Sequence, residues 1–123
     1  MTEYQLHLQI IAYLQARLPA GSVIHHSPNE GNHKIQYRVK QKRMGVRPGW
    51  PDLELFVSKT WWRPKVTWSP IFIEIKTKTG RLSENQKEVH RELRQADCHV
   101  VTVKSVEEVE TFINTLLENR SDK

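Results

Sequence analysis

The sequence predicts a single α/β domain over residues 1–123, with helices flanking one mixed sheet in the order α-β-α-β-β-α-β-α. Three observations support this. Apolar residues recur at helical spacing in the first segment and in two later ones. Short β-branched runs alternate with them, set off by Gly and Pro turns. No repeat, low-complexity tract or linker divides the chain, which is long enough for one core and too short for two of ordinary size.

Leu6, Ile10, Ile11, Leu14 and Leu18 define a first helix that Pro19-Ala20-Gly21 ends. Ser22 to His26 reads as a strand, and Ser27-Pro28-Asn29-Glu30-Gly31 as a turn. A basic helix spans about Asn32 to Met44, with Ile35 and Val39 four apart and Lys34, Arg38 and Lys42 along another side. Pro48-Gly49-Trp50-Pro51 interrupts regular structure. Strands Asp52 to Val57 and Ile71 to Lys76 then form an antiparallel hairpin whose long tip carries Trp61, Trp62 and Trp68. Ser83 opens a helix with Val89, Leu93 and Ala96 inward, Cys98 to Val103 is a further strand, and a last helix covers about Val106 to Leu117.

A hydrophobic fraction of 37% with 27% charged residues suits a globular chain and excludes a disordered tail. No apolar run approaches the roughly 20 residues of a membrane helix, and the N-terminus lacks a signal-peptide pattern, so the expected location is cytoplasmic with no membrane partner. Cys98 is the only cysteine, which rules out an internal disulfide and a cysteine-based zinc cluster; its apolar surroundings suggest a small buried side chain. Net charge is +5 and unevenly spread. Lys34, Arg38, Lys40, Lys42, Arg43 and Arg47 occupy a stretch free of acids, whereas acids dominate beyond Ser105. Such a basic face fits a polyanion, with a solvated helix as the equal rival.

Chemistry enters through alternation along the two hairpin strands. Asp52, Glu54 and Phe56 share one face, as do Phe72, Glu74 and Lys76, while Leu53, Leu55, Val57, Ile71, Ile73 and Ile75 turn the other way into the core. Asp52 thus falls beside Glu74 and Lys76. Crowded carboxylates repel, and a hard divalent cation such as Mg²⁺ or Mn²⁺ relieves them. In phosphodiester hydrolysis that cation acidifies a bound water and withdraws charge from phosphoryl oxygens, with Lys76 orienting the water or steadying the phosphate. An exposed strand face with a Glu/Lys pair is the plainer alternative.

Pro51-Asp52 followed by Glu74-Ile75-Lys76 resembles the PD-(D/E)xK nuclease signature. Ser27 to Gly31, the basic helix, Gly45 to Leu53, Ile73 to Lys76, Gly80 to Gln86 and Val101 to Glu108 resemble, in order and spacing, the VRR-NUC branch of that superfamily. The name-giving Val-Arg-Arg triplet is absent, and Val46-Arg47-Pro48 is the nearest stretch. The resemblance implies a restriction-endonuclease-like fold and a metal-dependent endonuclease acting on branched, flap or four-way DNA, in some stand-alone relatives as a homodimer. A binding module of the same fold without turnover is the rival reading.

The resemblance also implies site residues. Asp52 and Glu74 would bind metal with the Ile75 carbonyl, and Lys76 would complete the catalytic set. Glu3 matches a helix-one glutamate directed at the metal, although acids also favour first helical turns. Gln86 matches a glutamine that faces the site, although Ser83-x-x-Gln86 is also a capping box. Glu54 is left out of the ligand set. Lys34, Arg38, Lys42 and Arg47 are candidate phosphate contacts. Asn29 either shapes a backbone approach to phosphate or is a plain turn former, Gly31 reads better as a turn former, and the hairpin tryptophans fit a subunit contact better than base stacking. No histidine is assigned as a ligand.

Overall fold

A computed structural model of the chain describes residues 1–28, 35–58 and 69–121. Helix α1 (Glu3–Arg17) starts at Thr2, whose hydroxyl accepts the Gln5 N–H at 3.1 Å while Gln5 accepts the Thr2 N–H at 2.9 Å. This reciprocal cap satisfies two amides that would otherwise lack partners. Leu6, Ile10 and Leu14, one turn apart, are the buried stripe, and the chain leaves the helix at Leu18, before Pro19.

Strands β1 (Val23–His26), β2 (Leu53–Phe56), β3 (Ile71–Ile75) and β4 (His99–Val103) form one sheet in the order β1-β2-β3-β4. The first two pairings are antiparallel and β3-β4 is parallel. Helix α3 (Glu84–Gln95) makes the crossover between the parallel strands, and α4 (Val106–Ser121) follows β4. On one sheet face, Leu53, Leu55, Val57, Ile71, Ile73, Ile75 and Val103 bury against Leu6, Ile10 and Leu14 of α1 and Val109, Ile113 and Leu116 of α4. The opposite face of β3 is covered too, because Phe72 and Glu74 are as buried as their neighbours. The mixed α/β architecture and element order are as the sequence predicts.

Several expectations need correction. Ala96 is exposed: α3 ends at Gln95 and Ala96 is its cap, so the inward stripe belongs to Val89 and His90. Cys98 is only half-buried, just after the turn at Asp97, where φ is +65°. Burial and the Asp97 carboxylate push its thiol pKa up, which disfavours the reactive thiolate. Helix α2 (Ile35–Arg43) has the predicted basic flank, yet no residue of it is buried, and Ile35 and Val39 are exposed. Asp52 sits just ahead of β2, and α4 runs past Leu117 to Ser121. The turn residues Asn29 and Gly31, the candidate phosphate contact Lys34, and the tip tryptophans Trp61, Trp62 and Trp68 lie outside the described residues.

Candidate active site

The register of the hairpin decides which side chains meet. Leu53 pairs with Ile73 and Glu54 with Phe72, so one step further out Asp52 stands opposite Glu74. The Ile75 N–H donates to Asp52 Oδ2 at 2.7 Å, fixing that carboxyl across the strands. The main-chain oxygen of Asp52 accepts from the Ser27 N–H at 3.0 Å and from His26 Nδ1 at 2.9 Å. Asp52 is therefore held at both ends although it lies outside the regular ladder.

Glu74 is 1% exposed, which speaks against the plainer alternative of an exposed strand face. Helix α3 supplies the cover. His90, also 1% exposed, donates from Nε2 to Glu74 Oε1 at 3.1 Å, and Gln86 donates from Nε2 to Oε2 at 3.4 Å. With its proton on Nε2, the His90 ring leaves Nδ1 buried with no hydrogen-bond partner. Gln86 performs both tasks that the sequence set against each other: its Oε1 accepts the Ser83 N–H at 2.8 Å while its amide nitrogen serves Glu74. The capping box thereby aims the amide at the carboxylate.

The loop before Asp52 locks this arrangement. Gly49 has φ +86°, and a Cβ there would lie 2.5 Å from the Asn85 carbonyl carbon and 2.7 Å from the Gln86 nitrogen. Only glycine lets the Pro48–Pro51 turn lie against the start of α3. Next to it, Trp50 donates from its indole to Glu54 Oε2 at 2.7 Å and packs edge-on against Phe72 with ring centroids 5.6 Å apart. The other Glu54 oxygen pairs with His25 Nδ1 at 2.8 Å. Both oxygens of Glu54 are thus engaged structurally, in keeping with its omission from the ligand set.

Asp52, Glu74, Lys76, Gln86 and Glu3 line one cleft of about 400 Å³, together with His7 and His26. Burial, and then a hydrogen bond to Glu74, push the Asp52 carboxyl up to about 7, against the opposing pull of the Ile75 N–H. Burial likewise raises Glu74, partly offset by the hydrogen bond from Asp52 and the charge of Lys76. Each carboxyl, once ionised, therefore makes ionisation of the other harder. Burial and His26 lower the His7 pKa, and the two rings meet edge-on at 4.7 Å.

Among the described residues, no three His, Cys or carboxylate groups converge as a metal-binding cluster. Glu3 lines the cleft but does not join the two acids in such a group. The donor set is two adjacent carboxylates that resist ionising together. It fits a hard divalent cation that keeps several of its own waters, as Mg²⁺ does.

The candidate phosphate contacts are dispersed. Arg38 and Lys42 are exposed on α2, while Arg47 pairs with Glu92 of α3 at 3.1 Å. Sequence reasoning missed His90, His7 and His26. His90 lies four residues after Gln86 and His7 four after Glu3, so helical periodicity carried a signal for both.

The VRR-NUC domain model matches residues 2–107 of the chain. The chain belongs to the VRR-NUC domain family. It is a nuclease-type, DNA-processing domain. A solved VRR_NUC domain protein is 25% identical and superposes with a TM-score of 0.69 over 93% of this chain and 86% of its own. A second, a VRR_NUC domain, is 19% identical with a TM-score of 0.59 over 91% of this chain and 94% of its own, a likeness of fold. No curated protein matches the chain. Among the described residues of this VRR-NUC domain, no helix is long and apolar enough to cross a membrane.

Proposed function

We propose that this VRR-NUC domain is a divalent-metal-dependent endonuclease that hydrolyses phosphodiester bonds in structured DNA, whether branched, flap or four-way. The observation that carries the reading is the pairing of Asp52 and Glu74 across adjacent strands at the wall of an open cleft, where burial raises the pKa of both carboxyls. A fold that used these groups only as scaffold would gain nothing from crowding them.

Asp52, Glu74 and the Ile75 carbonyl are the groups that would hold Mg²⁺ or Mn²⁺. When bound, the ion supplies Lewis acidity, lowering the pKa of water and drawing charge from the phosphoryl oxygens. The chain's own residues do the rest. His90 and Gln86 each hold one oxygen of Glu74, which sets the carboxylate's orientation before substrate arrives. The Ile75 N–H does the same for Asp52. Lys76, as an ammonium at the cleft wall, orients the attacking water and offsets charge on the phosphoryl group. Glu3 faces the same space from α1 and acts through water. Arg38 and Lys42 give diffuse contacts to phosphates. Two such sites in a homodimer would cut both strands of a symmetric substrate.

The test is incubation of purified protein with flap, four-way and linear duplex DNA in Mg²⁺, Mn²⁺ or chelator, beside Asp52→Ala and Lys76→Ala. Cleavage should require the cation and fall at least about 10³-fold in either variant, while DNA binding in chelator persists. Unchanged cleavage in either variant removes the mechanism, and binding without cleavage by the parent leaves a recognition module. Light scattering of the same preparation reports whether the protein is a dimer.

A further inference from the structure

A second concave surface adjoins the cleft and shares Lys76 with it. It encloses about 690 Å³, and Lys78, Arg81, Lys87 and Lys104 join Lys76 in lining it, with no acid among the described residues of its lining. None of these four belongs to the basic segment that sequence composition singled out, because they come from three separate places. Lys78 lies in the turn after β3 with Arg81 just past it, Lys87 lies on α3, and Lys104 follows β4. We propose that this groove seats phosphates of the DNA strand that runs through the cleft, next to the bond being cut. The assignment of the strand to the cleft rests on the hydrolytic reading above.

The groove is built, not merely charged. The turn is closed by the Gly80 N–H donating to the Thr77 carbonyl at 3.0 Å, and a Cβ on Gly80 would meet Thr77 Oγ1 at 3.1 Å, so the turn is tight. Lys104 Nζ donates to the Lys78 carbonyl at 3.3 Å, tying the end of β4 to that turn. The nearby acids are engaged otherwise. Glu108 accepts the Lys104 main-chain N–H at 2.8 Å, capping the start of α4. Glu84 pairs with Lys87 at 3.2 Å, an exposed i,i+3 contact of small worth that a phosphate readily replaces. Cations drawn together with no acid among the described residues of the groove wall repel one another, and a polyanion relieves that repulsion while releasing its own counterions. Because Lys76 lines both spaces, a strand whose scissile phosphate lies at Asp52 and Glu74 has its next phosphates directed here.

The experiment is fluorescence anisotropy of a fluorescein-labelled flap DNA in chelator, across a salt series, with the triple variant Lys78→Ala, Arg81→Ala and Lys104→Ala. All three side chains are exposed, and circular dichroism checks the fold. Affinity should fall about 10- to 100-fold, and the slope of log K against log salt should drop by roughly 2 to 3. Arg91→Ala, an exposed cation on α3 that does not line the groove, should stay within about twofold. Neutral methylphosphonate linkages on one side of the cut should weaken the parent and leave the triple variant indifferent. Parent-like affinity and slope in the triple variant overturn the proposal. If that result accompanies loss of cleavage in Asp52→Ala, the hydrolytic reading survives alone. If the parent cuts nothing with any cation yet the triple variant loses affinity, the groove stands as a DNA site and the hydrolytic reading falls.

Discussion

Helices α2 and α3 are both polar in sequence and meet opposite fates in the fold. Helix α2 concentrates Arg38, Lys40, Lys42 and Arg43 without one acid and buries none of its side chains. Helix α3 mixes acids and bases, and it inserts Val89 and His90 under the sheet with Gln86 at the cleft. Among the described residues, the helix that composition marks as functional adds nothing to the lining of the cleft. Charge density reports where a polyanion can rest, whereas chemistry depends on which polar groups the core has enclosed.

The contrast is tested most severely at His90. His90→Ala would leave Glu74 Oε1 buried without its donor, and cleavage should fall about 10- to 100-fold with a matching rise in the Mn²⁺ concentration needed for half-maximal rate. His90→Gln, which keeps a donor, should recover much of that loss. A purely structural role would lower Tm in both variants without moving the metal dependence. Gly49→Ala comes next, since it removes no functional group and acts only on the seat of α3. A Cβ driven into the Asn85 carbonyl at positive φ should cost about 2–4 kcal/mol, roughly a 10 °C fall in Tm by calorimetry. A Tm within about 2 °C of the parent would show that α3 is not held through this turn.

These two positions also mark how far the sequence was legible. Alternation in Leu53 to Val57 and Ile71 to Lys76, read with the helical stripe of α1, was enough to place the core and to set Asp52 beside Glu74, because a period-2 pattern with one apolar face fixes the register. It was not enough to show that the second face of β3 is covered. That cover comes from α3, where hydrophobicity alone marks Val89, Leu93 and Ala96 as the inner stripe and passes over a histidine whose burial rests on a carboxylate partner. Gly49 read as ordinary turn chemistry because its reason, a backbone approach to Asn85, is between segments far apart in the chain. The basic groove is hidden for the same reason: Lys78 and Arg81, Lys87 and Lys104 stand on three separate segments, and only the topology assembles them.

A smaller effect separates the crowded acid from its engaged neighbour on the same strand face. The Asp52 carboxyl moves from 3.8 to about 7 on folding, so between those values the folded chain holds a proton that the unfolded chain has lost. Stability therefore declines as pH rises from about 4 to 7, the reverse of a salt-bridged aspartate. Asp52→Asn keeps an acceptor for the Ile75 N–H and offers Glu74 a permanent donor. Allowing for solvent in the open cleft, the variant should be more stable than the parent by about 1–2 kcal/mol at pH 8 in chelator, some 4–8 °C in Tm, with the gap closing near pH 4. Millimolar Mg²⁺ should raise the parent's Tm and not the variant's. A variant less stable than the parent at pH 8 would mean that the two carboxylates do not crowd one another.

The smallest effect belongs to α2. Arg38→Ala with Lys42→Ala removes two exposed cations from a helix that buries none of its side chains, so no packing in the core is lost. What remains is a through-solvent attraction for phosphates, screened within about 8–10 Å at physiological salt. The double variant should weaken flap binding by about two- to fivefold at low salt, with the difference shrinking as salt rises, and should reduce the salt slope by no more than about 2. A loss comparable to that of the groove substitutions, persisting at high salt, would mean that α2 closes onto DNA as a structured clamp. The comparison between the two helices would then be inverted, since the apolar side chains Ile35, Val39 and Met44, exposed in the free protein, would gain a surface to cover them.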